Sequence, residues 1–155
     1  MNNNWNQHMS STIKIAIVLS EFNSDITNEL LQGALDLLDE NNIQRSQLNI
    51  VKVPGAIEIP LIAKKKAKLN KYDAIICLGA VIQGETDHHV YVNQQVSQGC
   101  QQVMLEYEVP VLFGILTTHN WQQAKARVSQ SSHKGRETAA AALEMIHIIR
   151  AIPQG

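Results

Sequence analysis

The sequence predicts an α/β fold, in which helices cover both faces of a doubly wound parallel sheet of four strands in three layers. Short apolar runs alternate with longer segments whose apolar residues recur at helical spacing, as in successive βαβ units. The first run, Ile13–Leu19, is almost continuously apolar, as expected of a strand that is buried on both faces. At 155 residues, with no linker rich in Pro, Gly or Ser, the chain is predicted to form a single domain over residues 1–155.

Each element has its own local signal. Ser24 or Asp25 can cap a first helix that ends at Asn41-Asn42, and Pro60 is tolerated in the first turn of a second helix. In chain order, we expect strands at 13–19, 48–53, 74–78 and 111–116, helices at 24–40, 57–69, 87–107, 122–128 and 134–149, and a loop at 129–133.

The first eleven residues form a polar arm rich in Asn, Gln and Ser. Such a segment is expected to be disordered unless a partner orders it. Because a sheet of four strands leaves an open edge, we hypothesise that this arm adds a strand to the sheet of a neighbouring subunit.

Composition narrows the function classes. The net charge is −1, and the one basic run, Lys64–Lys66, lies on a predicted helix and is interpreted as a solvated face, so nucleic acid is not an expected partner. No apolar stretch approaches the roughly 18 residues of a membrane span, and the first residues are unlike a signal peptide. Cys77 and Cys100 are interpreted as buried thiols and not as a bridge, which favours a reducing cytoplasmic location.

The expected ligand site lies at the carboxyl ends of the strands, where open α/β sheets bind their ligands. Gly79 and Gly84 mark a loop that leads into a helix N-terminus, a combination typical of anion pockets. His88 lies in the first turn of that helix, where its imidazole could transfer protons. The other strand ends contribute Phe22, Asn23, Ala56, Ile57, Glu58 and Phe113, and the glycine loop itself adds Val81, Ile82, Glu85 and Thr86.

Structural interpretations stand beside these functional ones. Phe22 could be a core residue, Glu58 and Arg127 could compensate helix dipoles, and His88 and His89 could be surface histidines. A metal site is not predicted, because adjacent helical residues do not share a face and no further ligands cluster nearby. The sequence lacks both the P-loop and the G-x-G-x-x-G dinucleotide motif.

Five blocks make the chain resemble the lumazine synthase family of riboflavin biosynthesis. They are Phe22-Asn23, VPGAIEIP at 53–60, GAVIQGET at 79–86 followed by His88, PVLFGILTT at 110–118 and HKGRETA at 133–139. Their order and spacing match the family from about Ile13 to Arg150. The resemblance implies a flavodoxin-like topology and the condensation of 5-amino-6-(D-ribitylamino)uracil with 3,4-dihydroxy-2-butanone 4-phosphate. The implied products are 6,7-dimethyl-8-ribityllumazine, phosphate and water, and no metal or organic cofactor is implied.

The resemblance also implies residue roles and an assembly. His88 matches the proton-transferring histidine of the family, and Arg127 matches an arginine that binds phosphate from the adjacent subunit. Lys134 and Glu137 match positions that line the site from that neighbour. A homo-oligomer follows, either a pentamer or an icosahedral shell of pentamers.

Departures from the family pattern lower the local positive charge. Gln83 stands where a basic residue is usual, and Glu85 adds a negative charge directly after Gly84. In addition, Ile57 replaces a usual aromatic residue. Two alternatives remain open at this point. One is a binder of flavin or lumazine on the same scaffold that does not catalyse the reaction, and the other is a flavodoxin-like electron carrier.

Overall fold

A computed structural model describes residues 10–129 and 131–154 of the protein. Four parallel strands, β1 (Ile15–Ser20), β2 (Leu48–Val53), β3 (Ala74–Ile82) and β4 (Val111–Thr118), lie in the order β2-β1-β3-β4. The predicted doubly wound parallel sheet is therefore confirmed. Residues 1–9 of the predicted polar arm lie outside the described residues, so strand addition by the arm stays a prediction.

Among the described residues, the helices that cover the sheet are α1 (Ser24–Glu40), α2 (Ile59–Lys68), α3 (His88–Tyr107), α4 (Trp121–Ala126) and α5 (Lys134–Ala151). Because successive side chains of a strand point to opposite faces, β1 contributes Ile15 and Ile17 to one core and Ala16 and Val18 to the other. The first core packs against α1 and α5, and the second packs against α2 and α3. Because the helices cover only the two faces of the sheet, the carboxyl ends of the four parallel strands lie together at one end of it.

Five local expectations differ from the structure. The strand predicted at 74–78 continues to Ile82, so Gly79, Val81 and Ile82 belong to β3 and not to a loop. The strand predicted at 111–116 continues to Thr118, and a 3₁₀ turn at Ala56–Glu58 precedes α2. The loop predicted at 129–133 includes a short antiparallel pair, β5 (Val128–Ser129) and β6 (Ser132–His133). The predicted helix at 122–128 ends early because Val128 is buried against the first core and pairs with His133.

The start of α5 packs tightly against α1. A Cβ atom on Gly135 would overlap the backbone carbonyl of Leu30, so only glycine allows this approach of the two helices. Arg136 donates two hydrogen bonds to Glu40, Nη1 to Oε1 at 3.0 Å and Nη2 to Oε2 at 2.7 Å. These bonds lower the pKa of the Glu40 carboxyl and raise the pKa of Arg136. Two contacts with α1 therefore hold the N-terminus of α5: the close packing of Gly135 and the ion pair of Arg136.

Cys77 of β3 and Cys100 of α3 are both free and buried, which confirms the interpretation as unbridged thiols. A hydrogen bond with Cys100, together with burial, raises the pKa of the Cys77 thiol. Over residues 10–129 and 131–154, no helix is both long enough and apolar enough to span a membrane.

Candidate active site

A cleft of about 420 Å³ opens at the carboxyl ends of the strands, beside the entrance of α3. Its lining is mainly apolar and includes one aromatic ring, two imidazoles and one threonine. The lining residues are Phe22, Gly55, Ala56, Ile57, Ala80, Val81, Ile82, Gly84, Thr86, His88, His89 and Val92. The structure therefore brings together segments from the ends of β1, β2 and β3, whereas the segment expected from the fourth strand, which contains Phe113, does not line the cleft.

Phe22 presents its ring at the mouth of this cleft. The side chain is 71% exposed, which excludes the interpretation as a core residue in this chain. Its backbone N–H donates to the Pro54 carbonyl at 3.0 Å, and the next residue, Asn23, has a left-handed backbone with φ of 60°. The Asn23 side chain donates to the carbonyl of Ala80 at 2.9 Å. These bonds tie the loop after β1 to β3 and hold the aromatic face in place.

The turn after β2 forms one wall of the cleft. Ile57 is 40% exposed there, so an apolar side chain faces the space where a ligand would lie. Glu58 does not line the cleft itself, and its Oε2 accepts a hydrogen bond from the Gly55 N–H at 2.9 Å. The carboxylate thus fixes the turn, in agreement with the structural interpretation, while Oε1 makes no hydrogen bond to any residue that the structure describes.

Residues Gly84–Asp87, here called the anion loop, connect β3 to α3. A Cβ atom on Gly84 would meet nothing within 4 Å, so the backbone there faces open space. Asp87 precedes α3 without a capping hydrogen bond from its side chain. The first N–H groups of a helix have no partner within the helix, and their partial positive charge favours an anion. Thr86 lines the cleft and Glu85 is exposed beside it.

His88 begins α3 and faces the cleft. In the part of the chain that the structure describes, its ring makes no hydrogen bond, whereas Nδ1 of His89 lies 3.2 Å from the Thr86 carbonyl oxygen. Of the two adjacent histidines, His88 is therefore the one whose ring nitrogens remain available to a ligand. Across residues 10–129 and 131–154, no three metal-binding side chains of the His, Cys, Asp or Glu type cluster together.

Seven predicted residues do not line the cleft of their own chain: Asn23, Glu58 and Glu85, described above, and Phe113, Arg127, Lys134 and Glu137. Phe113 was expected at a strand end, and this placement is wrong, because β4 continues beyond it to Thr118; its ring is 39% exposed near the start of the strand. Arg127 follows α4, and its Nη1 donates to the Gln123 carbonyl at 2.9 Å, as the dipole interpretation expects. Lys134 and Glu137 form an exposed ion pair at 3.5 Å where α5 begins.

Sequence reasoning missed several lining residues. Gly55, Ala80 and Val92 contribute backbone or small apolar surface, which carries no chemical signal in a sequence. Val92 lies one helical turn after His88, so helical spacing could have identified it. His119 was interpreted as a plain loop residue, yet its Nδ1 lies 2.8 Å from Oε1 of Gln83, directly before the anion loop.

Comparison with known proteins decides the family. The family model described as 6,7-dimethyl-8-ribityllumazine synthase matches residues 12–150. The chain belongs to this family. Three curated proteins of that name, from the Coxiella burnetii strains Dugway 5J108-111, CbuG_Q212 and RSA 493 / Nine Mile phase I, are each 54% identical over 143 residues. The alignments cover 92% of this chain and 95% of each relative.

Family membership confirms the resemblance drawn from the sequence blocks, together with the α/β fold. The matched region contains every predicted site residue from Phe22 to Glu137. Family membership does not favour the two alternatives, which were a binder without catalysis and an electron carrier. The roles of individual residues remain predictions, to which the geometry of the cleft now adds constraints.

Proposed function

We propose that the protein condenses 5-amino-6-(D-ribitylamino)uracil with 3,4-dihydroxy-2-butanone 4-phosphate to give 6,7-dimethyl-8-ribityllumazine, phosphate and water. One observation carries the proposal beyond family membership. A single cleft joins an exposed aromatic ring, a helix N-terminus and an imidazole that makes no hydrogen bond within the described residues, supplied by Phe22, the anion loop and His88. These are the three groups that a flat amine, a phosphate ester and repeated proton transfer require.

The pyrimidine would stack on Phe22. Its ring is flat and electron-rich, and an offset or edge-to-face arrangement with an aromatic side chain is favourable. Ile57, Val81 and Ile82 would supply apolar walls, and backbone groups at Ala56 and Ile57 would bind polar edges of the ring. Asn23 acts indirectly, because its bond to the Ala80 carbonyl holds the loop that carries Phe22. The free oxygen of Glu58 would accept a hydrogen bond from the ribityl chain.

The phosphate ester would bind at the N-terminus of α3. The amides of Gly84, Glu85 and Thr86, with the Thr86 hydroxyl, are the groups that such a site uses. A full positive charge would come from Arg127 of an adjacent protomer, whose planar fork suits two phosphate oxygens. Glu85 opposes this charge, so phosphate binding depends strongly on the arginine.

His88 would transfer protons during the reaction. Schiff-base formation, phosphate elimination and ring closure each move protons, so one imidazole beside both substrates can serve several steps. General acid–base catalysis of this kind is typically worth about 10²–10⁴ in rate. Proximity would supply much of the remainder, because the cleft converts an encounter of two molecules into a reaction within one complex.

A second protomer would complete the site, which implies a homo-oligomer that is a pentamer or larger. Phe113, Arg127, Lys134 and Glu137 are accessible on the surface and do not line the cleft of their own chain. Co-expression tests this sharing. We expect Arg127→Ala and His88→Ala chains to be impaired separately, and to regain activity when mixed rings combine an intact His88 with an intact Arg127. Mixed rings without any recovery would contradict a shared site.

The reaction itself is tested by mixing the purified protein with both substrates and following lumazine absorbance. We expect product formation with release of inorganic phosphate. His147→Ala is a control for His88→Ala, because it removes an exposed imidazole of α5 that does not line the cleft. Binding of the lumazine product without any turnover would refute the proposal and support a binder instead.

A further inference from the structure

We propose that His119 is a positioning residue for the phosphate subsite, acting through Gln83 on the anion loop. The inference rests on the proposed function. The two residues are 36 positions apart in the sequence, and a hydrogen bond of 2.8 Å joins Nδ1 of His119 to Oε1 of Gln83. Neither side chain lines the cleft, so any effect on the substrate passes through the loop that Gln83 precedes.

The bond lies where two neighbouring strands end. Ile82 of β3 pairs with Thr118 of β4 in the last register position, and the Gln83 N–H then donates to the Thr118 carbonyl at 2.9 Å. Beyond this point the two segments separate, because β3 continues into the anion loop and β4 continues towards α4. The bond between the His119 ring and the Gln83 amide crosses this gap and extends the connection between the strands by one residue.

His119 is itself held from the other side. Its backbone N–H donates to Oε1 of Gln123 at 2.8 Å, and the Thr118 hydroxyl donates to the Asn120 carbonyl at 2.9 Å. Asn120 in turn caps α4, accepting from the Gln123 N–H at 2.8 Å. The ring therefore projects from a fixed backbone, and it can restrain Gln83 instead of simply following it.

The anion loop has few other restraints. Within the described residues, its hydrogen bonds run only to α3: the His88 N–H to the Thr86 hydroxyl at 3.4 Å, the His89 ring to the Thr86 carbonyl, and the Val90 N–H to the Asp87 carbonyl at 3.0 Å. Gln83 is the connection on the strand side. Since amides bind an anion best when they are already oriented, loss of this connection weakens the phosphate subsite.

The hydrogen on Nδ1 defines which substitutions preserve the bond. A carbonyl oxygen only accepts, so the imidazole nitrogen that faces it donates. An asparagine at position 119 has its amide nitrogen at nearly the same distance from the backbone as Nδ1, whereas the amide of a glutamine lies one bond further out. The structure therefore ranks His119→Asn as conservative and His119→Gln and His119→Ala as disruptive.

Steady-state kinetics with each substrate varied in turn tests the proposal. We expect His119→Ala and Gln83→Met each to raise KM for the phosphorylated butanone about two- to tenfold, the range for one lost hydrogen bond. KM for the pyrimidine, kcat and the thermal midpoint should stay near wild type. His119→Asn should restore KM for the phosphorylated substrate, and the double variant should be no worse than either single one.

Gln32→Met is the matched control, because it removes an exposed glutamine side-chain bond of 2.7 Å to Asp36, which lies away from the cleft. Unchanged KM in both single variants, an equal rise in both KM values, or additive effects in the double variant would overturn the proposal.

If the wild-type protein forms no lumazine, the proposed function fails on that result alone. Binding of inorganic phosphate, measured by titration calorimetry, then judges the present inference separately. Weaker binding by His119→Ala than by wild type supports it. Equal binding, or no binding by wild type, overturns it.

Discussion

Gly33 provides a sharp test of how α1 and α5 fit together. It lies in the interior of α1 and is buried against the imidazole of His133. A Cβ atom at this position would lie 2.8 Å from Nε2 of that ring and closer still to Nδ1 and Cε1. The ring cannot simply rotate away, because its Nδ1 accepts hydrogen bonds from the N–H groups of Gly135 at 3.1 Å and Arg136 at 3.4 Å.

Two effects of opposite sign decide the stability of Gly33→Ala. Alanine is favoured over glycine in a helix interior by about 1 kcal/mol, which predicts a more stable protein. Overpacking typically costs about 1–3 kcal/mol, and loss of the His133 cap costs a further 0.5–2 kcal/mol or so. The steric and capping costs exceed the helix gain, so we expect net destabilisation of about 2 kcal/mol. For a domain of this size that corresponds to a fall in Tm of about 4–8 °C.

Thermal unfolding followed by circular dichroism, at fixed protein concentration, measures this change. In a His133→Ala background the ring is absent, so Gly33→Ala should now raise Tm relative to His133→Ala alone. Asn28→Ala, an exposed substitution in the same helix, is the control for helix propensity and should leave Tm nearly unchanged or slightly raised. A Gly33→Ala protein as stable as wild type, or the same sign of effect in both backgrounds, would refute the reasoning.

Three further predictions follow from the site and the helix contacts. His88→Ala should lower kcat by about 10²–10⁴ and leave measurable turnover, and an unchanged rate in the absorbance assay would remove His88 from the mechanism. Arg127→Ala should raise KM for the phosphorylated substrate alone, and an equal rise for the pyrimidine in the same assay would contradict its role as the phosphate ligand. Glu40→Gln should lower Tm at neutral pH, because the pKa of Glu40 is lowered from its ordinary 4.5 by Arg136. The ion pair stabilises the protein above the ordinary pKa of Glu40, and this stabilisation is lost as the pH falls through the lowered pKa. The Tm values of wild type and Glu40→Gln should therefore converge as the pH is lowered through this range. A difference in Tm that stays constant with pH would argue against the ion pair as the source of the stabilisation.

The sequence predicted the sheet well because β1 and β3 are nearly continuous apolar runs, which only a strand covered on both faces readily accommodates. It also predicted the cleft at Phe22 and Gly84, because parallel strands bring their carboxyl ends to one edge. The pair β5 and β6 escaped prediction, since two residues are too few to show any periodicity.

Other features of the site could not be predicted from the sequence, for different reasons. Phe113 was assigned to a strand end although it is only the third residue of the strand predicted at 111–116, and it is the third residue of β4 in the structure. The bond between His119 and Gln83 joins two ordinary loop residues and depends on side-chain geometry that no spacing rule encodes. The proposed contribution of Arg127 to a neighbouring cleft would depend on how protomers meet, and such an arrangement follows from whole surfaces and not from any local motif.

The edge strand β4 has a practical consequence for handling the protein. Over the described residues it pairs only with β3, so one side of this eight-residue strand presents unpaired backbone groups beside the exposed Phe113 ring. Such an edge readily recruits strands from other molecules. We therefore expect that protomers of the proposed homo-oligomer, once dissociated by dilution or mild denaturant, precipitate as well as lose turnover, so stocks are best kept concentrated.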